Sequence, residues 1–322
     1  MTTLQGTGPS ARRFGQAASR IPDVAFRSLS GTLAWVVVAA LGLLASLLLL
    51  DGSQALSTFG LSFLTGTTWD PIAGVYGALP FIVGTLGSSL IALLLGAPIG
   101  LLTAIFLAEL APRRIAVPLT FVIELLAAIP SVVYGLWGVF VLGPFLQSTV
   151  EAWIVGTLGW IPIFAGPPFG MGLFAAGVIL TLMILPTIVA IARDVITSVP
   201  DAQREAMLAL GATRWETITR SVLPYARSGI IGAIILGLGR ALGETMAVTM
   251  VIGNRPEIPH SVFDSSQTIA SQIATTFNEA GIGLQTSSLI ALGLVLLVIT
   301  MSLNVVARLL VWQVAGPSSG RR

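Results

Sequence analysis

The sequence predicts an all-α membrane protein, a polytopic bundle of six helices that each cross the bilayer. Hydrophobic residues make up 55% of the 322 residues, charged residues make up 9%, and the mean hydropathy is +0.93. A soluble protein carries roughly a quarter charged residues, so the solvent of this chain is predicted to be lipid. Six apolar stretches are long enough to cross a bilayer core about 30 Å thick, which takes roughly 20 helical residues.

The six predicted spans are separated by segments rich in glycine, proline or charge. They are predicted at residues 31–50, 78–108, 115–142, 171–192, 229–252 and 287–311. Helices are expected because a lone strand would leave its backbone polar groups unpaired in lipid. The first apolar run is too long for a signal-peptide core, so it is interpreted as a retained span. The domains expected are an N-terminal tail at 1–30, a membrane domain at 31–312 and a C-terminal tail at 313–322.

The distribution of arginine predicts the orientation of the bundle. All sixteen basic residues are arginines, and fourteen lie near the two chain ends or in the segments 109–114 and 193–228. Arg255 alone lies in the alternate segments, and Arg240 lies in the fifth span. The positive-inside rule therefore places both termini in the cytoplasm. Because the arginines border apolar spans and form no basic face, nucleic acid is not predicted as a partner.

Residue types that are missing exclude several classes of site. The chain has no cysteine and a single histidine, His260, which excludes disulfides, thiolate nucleophiles and a multi-histidine metal site within one chain. The chain also has no lysine, which the phosphate loop of a P-loop ATPase requires. His260 is interpreted as a solvated loop residue. The segment 151–169, with Trp153 and Trp160, is interpreted as a hairpin at the membrane interface.

The loop at 193–228 is predicted to form a helix–turn–helix elbow in the cytoplasm. Ser198 or Asp201 can cap a first helix that runs through 205–210, with Pro200 near its first turn. Gly211 is predicted to end this helix with a positive φ angle.

The second half of the elbow is predicted as another short helix. Thr213 and Glu216 have the spacing of a capping box, and Pro224 is expected to end the helix before the fifth span begins. The elbow carries apolar side chains that a solvated loop does not need: Ala206, Met207, Leu208, Leu210, Trp215, Ile218 and Val222. They mark a partner site or pack against the protein's own helix ends, and the pattern alone leaves both interpretations open.

Two ionisable residues lie together in the fifth span. A charge in the middle of a bilayer costs at least about 2.5 kcal/mol, and Arg240 and Glu244 can neutralise each other because residues four apart share a helix face. The surrounding segment 237–245 is rich in glycine, which leaves room for a cavity. Two interpretations follow. The pair is structural, or Arg240 faces the transport path and contacts an anion while Glu244 orients it, with Thr245 alongside.

Glu124 is a further ionisable residue within the predicted spans. It lies near the cytoplasmic start of the third span, and pairing with Arg113 or Arg114 of the neighbouring loop is expected. The sequence leaves any further role of Glu124 open.

The elbow resembles the "EAA" loop of permease subunits from ATP-binding-cassette (ABC) importers. That pattern is Glu-Ala-Ala, a glycine at a fixed distance, an isoleucine and a Leu-Pro pair. The residues that match are Glu205, Ala206, Gly211, Ile218 and Pro224. Met207 replaces the second alanine, which is a mild departure because methionine is also apolar and helix-forming. The resemblance implies that the loop docks on a nucleotide-binding subunit and transmits its closure.

Further segments resemble the permease of phosphate-specific ABC importers, of the PstC type. They are GLGRALGETMAV at 237–248 with Gly253-Asn254, Trp69-Asp70-Pro71, YGALPFIVGTL at 76–86 and IPSVVYG at 129–135. The resemblance implies a type I importer permease fold, inorganic phosphate as substrate and a bacterial inner-membrane location. It also implies a second homologous permease, a dimeric ATPase that binds ATP and Mg²⁺, and an extracytoplasmic phosphate-binding protein. This chain would bind no cofactor itself and would contact membrane lipid.

Three other functions are the alternatives for a bundle of this kind. A permease for another oxyanion would share these features. A secondary transporter driven by an ion gradient would show inverted repeats and broken helices at corresponding positions, and the sequence shows no such symmetry. An intramembrane protease would need a histidine or an aspartate pair within its spans, whereas His260 lies in a loop.

Overall fold

The computed structural model describes the backbone of residues 20–315 and the side chains of residues 25–313. Within that part of the chain, six helices are long and apolar enough to cross a membrane, as predicted. They are Ala25–Asp51, Leu79–Leu110, Ser131–Leu158, Leu173–Thr197, Arg214–Gly243 and Leu284–Gln313. We call them the first to sixth spanning helices.

The chain divides after Leu50 into two compact units. The described part of the first unit belongs to one apolar helix, Arg20–Asp51, with Pro22 in its first turn, where a missing N–H costs little. The predicted N-terminal tail at 1–30 is therefore helical from Arg20 onward. Residues 1–19 and 316–322, which make up most of the two predicted tails, lie outside the described residues.

The fourth spanning helix forms the centre of the second unit. Its most apolar stretch is 61% buried, against 22–28% for the other spanning helices of this unit. It packs against the second and fifth spanning helices, and glycines permit the close approach. A Cβ atom added to Gly96 would lie 2.9 Å from Ile184 Cδ1, and one added to Gly237 would lie 2.8 Å from Ile188 Cγ1. Small residues at these contacts bring the helix backbones together.

The predicted third span at 115–142 is wrong, because the chain breaks at Pro130. Arg113–Ala128 forms one helix, and the spanning helix Ser131–Leu158 begins after the proline. Proline disfavours the helical conformation in the residue before it, and Ile129 is extended, with φ −65° and ψ 129°. Hydropathy does not reveal this break because the apolar run continues through it.

The third spanning helix is irregular along its length. Its α-helical parts alternate with two π-helical turns: Ser131–Trp137, Gly138–Leu142 (π), Gly143–Phe145, Leu146–Glu151 (π) and Ala152–Leu158. Near its start, Tyr134 Oη donates a hydrogen bond to the Leu126 carbonyl oxygen at 2.8 Å. This bond supplements the long 3.4 Å bond that the same carbonyl accepts from the Ile129 N–H, because Pro130 has no N–H to complete the helical pattern.

The predicted interfacial hairpin at 151–169 is only partly correct. Trp153 and Trp160 are exposed, as an interfacial position requires, and a 3₁₀ turn follows at Pro162–Phe164. Glu151 instead lies inside the third spanning helix, where it is buried and accepts a hydrogen bond from the Gly170 backbone N–H at 2.8 Å. This acidic residue therefore anchors the far end of the segment.

The fifth spanning helix begins earlier than the predicted 229–252. The short helix Arg214–Thr217 continues through a π-helical turn, Ile218–Val222, into the helix Leu223–Gly243. At the end of this turn, the Leu223 N–H donates a hydrogen bond to the Ile218 carbonyl oxygen. Pro224 stands in the first turn of the following α-helix and does not end a helix. The prediction of a stop at Pro224 is therefore wrong, because the widened turn before the proline accommodates its ring.

Short elements cover the bundle at the ends opposite the arginine-rich loops. They are the helices Ser53–Phe59, Ser62–Thr65, Met246–Val251 and Ile269–Thr276, the 3₁₀ turn Phe277–Glu279, and the antiparallel strands Trp69–Asp70 and Val75–Tyr76. The ring of Trp69 packs edge-on against Tyr76 and Phe81, with centroids 4.8 and 5.1 Å apart. These aromatic contacts attach the hairpin to the start of the second spanning helix.

Candidate functional site

The elbow predicted between the fourth and fifth spanning helices is present. Its first helix is Asp201–Ala209. Neither Ser198 nor Asp201 caps it, because Pro200 occupies the N-cap position with φ −58° and offers no side-chain bond. The rigid proline φ angle, rather than a capping hydroxyl or carboxylate, sets the start of this helix.

The turn of the elbow agrees with the predicted one. Gly211 has φ +82°, and the Ala212 N–H donates to the Met207 carbonyl oxygen at 3.1 Å. The capping box is also formed: the Glu216 N–H donates to Thr213 Oγ1 at 3.3 Å, and the Thr213 N–H donates to Glu216 Oε2 at 2.9 Å. The positive φ of Gly211 and this reciprocal cap fix the angle between the two parts of the elbow.

Some apolar side chains of the elbow pack against the protein's own helix ends, and others are exposed as a partner site would require. Ile218 and Val222 are buried against the helix ends. Leu208, Leu210 and Trp215 are 51%, 84% and 70% exposed. Glu205 and Ala206 are exposed as well. The elbow thus presents an apolar surface with an acidic residue beside it.

Arg240 is half-buried near the end of the fifth spanning helix. Its Nη1 atom donates a hydrogen bond to Thr187 Oγ1, 3.3 Å away on the fourth spanning helix. Sequence reasoning missed Thr187, because a threonine next to Pro186 in an apolar run gives no signal of its own. The guanidinium is a charged hydrogen-bond donor and the hydroxyl beside it is a neutral one. Together they can bind an anion.

The predicted ion pair between Arg240 and Glu244 is not formed among the described side chains. The spanning helix ends at Gly243, and Glu244 is extended with ψ 130°, so the two residues are not one helical turn apart. Glu244 Oε1 accepts a hydrogen bond from the Ala247 N–H at 3.3 Å, at the start of helix Met246–Val251. Glu244 therefore interacts with the next helix.

The backbone break beside Arg240 lies next to open space. A Cβ atom added to Gly239 or Gly243 would meet no other atom within 4 Å. Thr245 lies in the break, and its Oγ1 atom donates to the Gly243 carbonyl oxygen at 3.4 Å. The expectation that glycines leave room near Arg240 holds for these two positions, whereas Gly237 is a packing contact.

Glu124 does not pair with Arg113 or Arg114 within the described part of the chain. It lines a cavity of about 450 Å³ together with Arg193 and Thr120. Arg193 Nη1 donates to Thr120 Oγ1 at 2.7 Å, and its Nη2 contacts the neighbouring Asp194 at 2.9 Å. The expected partner was wrong because Arg113 lies at the opposite end of the same helix.

A second polar cavity lies on the opposite side, among the loops that follow the break. It measures about 590 Å³ and is lined in part by Arg255, Glu257, His260 and Asp264. Arg255 Nε contacts Glu257 Oε2 at 3.0 Å. His260 is exposed, as predicted for a loop residue, and its backbone N–H donates to Asp264 Oδ2 at 2.9 Å. Among the described residues, no group of three or more His, Asp or Glu side chains could hold a metal ion.

Comparison with known proteins identifies the family. Residues 96–314 match the model of the "binding-protein-dependent transport system inner membrane component" family. The chain is 46% identical to the "phosphate transport system permease protein PstC" of Mesorhizobium japonicum, covering 98% of each chain. It is 45% identical to the PstC protein of Pasteurella multocida, over 91% of this chain and 93% of that protein.

Solved structures share the fold at low sequence identity. An inward-facing MetNI methionine ABC transporter aligns with a TM-score of 0.55 at 19% identity, over 77% of this chain and 99% of that chain. A bacterial ABC transporter that imports alginate aligns with a TM-score of 0.54 at 20% identity, over 92% and 98%. The predicted importer-permease fold is confirmed, and the chain belongs to the family of binding-protein-dependent transport system inner membrane components, in which its relatives are PstC permeases.

Proposed function

We propose that this chain is the permease subunit of an ABC importer and forms the translocation path for inorganic phosphate. The observation that carries the proposal is the identity of 46% to a phosphate permease along 98% of both chains. A permease for another oxyanion is the alternative, because sulfate-like anions present similar oxygens to the same donors.

Arg240 is proposed to contact phosphate transiently as the anion crosses. Its guanidinium is held by the neutral Thr187 hydroxyl at 3.3 Å, so its positive charge is left for a passing anion. Open space beside Gly239 and Gly243 supports this placement, and Thr245 supplies a further hydroxyl nearby. Because Glu244 bonds the Ala247 backbone, we assign it to shaping the break in the backbone rather than to neutralising Arg240.

The elbow is proposed to dock on a dimeric ATPase that binds ATP and Mg²⁺. The exposed Leu208, Leu210 and Trp215 support this role, since exposed apolar patches mark partner sites. Glu205 and Ala206 would lie at the edge of the contact, while Gly211 fixes its shape. Ile218 is assigned to the support behind the elbow because it is buried.

The complete importer is proposed to contain a second homologous permease and an extracytoplasmic phosphate-binding protein, in a bacterial inner membrane. The family description of a binding-protein-dependent system supports the last component. Both termini are proposed to be cytoplasmic, because fourteen of the sixteen arginines lie near the chain ends or in two alternate loops.

Growth of a bacterium that lacks its own phosphate permease tests the substrate. This chain, expressed with its second permease, ATPase and binding protein, is expected to restore growth on limiting phosphate and to leave sulfate uptake unchanged. Restored sulfate uptake without restored phosphate uptake would favour the alternative oxyanion.

A further inference from the structure

The first helix of the elbow, Asp201–Ala209, buries none of its residues. Apolar packing therefore contributes little to its position on the bundle. Arg204, which is 19% exposed, makes the charged contacts of this helix with the bundle, and Gln203 Oε1 accepts a longer hydrogen bond from Ser221 Oγ at 3.5 Å.

Arg204 contacts three separate elements. Its Nη2 and Nε atoms lie 2.7 and 3.2 Å from Glu109 Oε1. Nη2 also donates to the Ile196 carbonyl oxygen at 3.0 Å, and Nη1 donates to the Val199 carbonyl oxygen. Glu109 lies in the π-helical turn that ends the second spanning helix, and Ile196 lies in the last turn of the fourth. One guanidinium thus joins the elbow to two spanning helices.

The two spanning helices are themselves packed together at this point. Ala104, Ile196, Val199 and Val222 are buried in one apolar cluster. The cluster unites the ends of the second, fourth and fifth spanning helices directly behind the elbow. A displacement passed to Glu109 is therefore passed to several helices, because close-packed interiors transmit strain.

The ion pair is well shielded and needs an arginine. The Glu109 side chain is 11% exposed. The hydrogen bonds that Arg204 donates to Glu109 raise the pKa of Arg204 and outweigh the burial that lowers it, so the guanidinium stays charged. Lysine has a single ammonium group and cannot reproduce bonds that diverge toward a carboxylate and two carbonyl oxygens.

We infer that the Arg204–Glu109 ion pair is the contact that transmits movement of the first elbow helix, Asp201–Ala209, to the second and fourth spanning helices. This inference rests on the proposed function, since the elbow is displaced only when an ATPase docks on it. Arg204 is a positioning residue and has no contact with the substrate path at Arg240. Without the pair, the first helix of a docked elbow would turn about Pro200 and Gly211, which are exposed, while the second spanning helix stayed in place.

The test is made with the complete importer in liposomes. The double variant Arg204→Gln with Glu109→Gln removes both charges, so neither is left buried without a partner. ATP hydrolysis is expected to continue, while phosphate imported per ATP falls about tenfold, the size of effect found for residues that carry coupling between sites. Arg204→Lys is expected to give an intermediate ratio. The control is Arg227→Gln, because Arg227 is exposed and should keep the wild-type ratio.

A distance measurement separates this inference from the proposed function. The chain has no cysteine, so spin labels at Ala202→Cys and Leu110→Cys report only the elbow and the end of the second spanning helix. In the ATPase-bound complex, the distance between the two labels is expected to have one narrow distribution both with and without ATP. In the double glutamine variant, this distribution is expected to broaden when ATP binds. A variant with normal coupling and an unchanged narrow distance would overturn the inference. Absence of phosphate uptake by the unmodified complex would instead overturn the proposed function.

Discussion

At the scale of single residues, the fifth spanning helix carries a charge whose partner is a hydroxyl. Arg240 bonds Thr187 across two helices, and the glutamate four residues later turns toward the next helix. An arginine held by a neutral group can offset part of the hydration that an anion loses. A fully paired arginine would offer less, and an isolated arginine would bind too tightly for rapid release.

Replacing Arg240 tests its role in the path. Arg240→Gln is expected to lower phosphate uptake about tenfold to a hundredfold, because a hydrogen bond to a charged group contributes about 1.5–3 kcal/mol. Yield of the assembled complex should stay normal, since no described carboxylate loses an ion pair. Combining Arg240→Glu with Glu244→Arg should not restore uptake. Restored uptake in this swapped variant would show that the two residues act as a structural pair.

Two substitutions of Glu244 distinguish a helix-start acceptor from a counter-ion. Glu244→Gln keeps a side-chain oxygen that can accept from the Ala247 N–H, so uptake should stay within about twofold of normal. Glu244→Ala removes the acceptor, which at a helix start costs about 1 kcal/mol, and uptake should fall further. Equal loss in both variants would mean that the negative charge matters instead.

At the scale of elements, the elbow depends on one left-handed residue. Gly211 has φ +82° with no other atom within 4 Å of an added Cβ, so a side chain there is opposed by backbone strain and not by crowding. The turn was predictable because glycine after a helix and a Thr-x-x-Glu cap are local signals. The attachment by Arg204 was not, because its partner Glu109 is 95 residues away in the chain.

The strain at Gly211 leads to a prediction about coupling. Gly211→Ala is expected to cost about 1–2 kcal/mol in the elbow and to lower uptake without preventing capture of phosphate by the binding protein. Gly232→Ala is the matched control, because Gly232 has open space around it and lies within a regular helix. Normal ATP-driven uptake by Gly211→Ala, measured in liposomes, would contradict the role of the turn.

At the scale of the whole molecule, composition and the apolar stretches along the chain were enough to predict a six-helix membrane bundle. Two errors in the spans arose where a proline or a backbone break interrupts an apolar run, at Pro130 and after Gly243. Hydropathy averages over many residues and does not detect one missing N–H. The pairing of Arg240 with Thr187 also escaped prediction, because it depends on which faces of two helices meet.

The orientation of the bundle is open to direct labelling. Single cysteines at Ile72 and Ile282, which are fully exposed, should react with an impermeant maleimide in intact cells. A cysteine at Ala202 in the elbow should react only after the cells are opened. The physical reason is the concentration of arginine on the elbow side. Labelling of Ala202→Cys in intact cells would reverse the orientation.

The central claim is that this chain conducts phosphate in an importer driven by ATP. Its most direct test is radiolabelled phosphate uptake into liposomes that contain both permeases and the ATPase, with the binding protein supplied on one side. Uptake is expected to require ATP, the binding protein and Arg240, and to stop when any one is removed. Phosphate uptake that continues without ATP, or ATP-driven uptake of another oxyanion in its place, would contradict the claim.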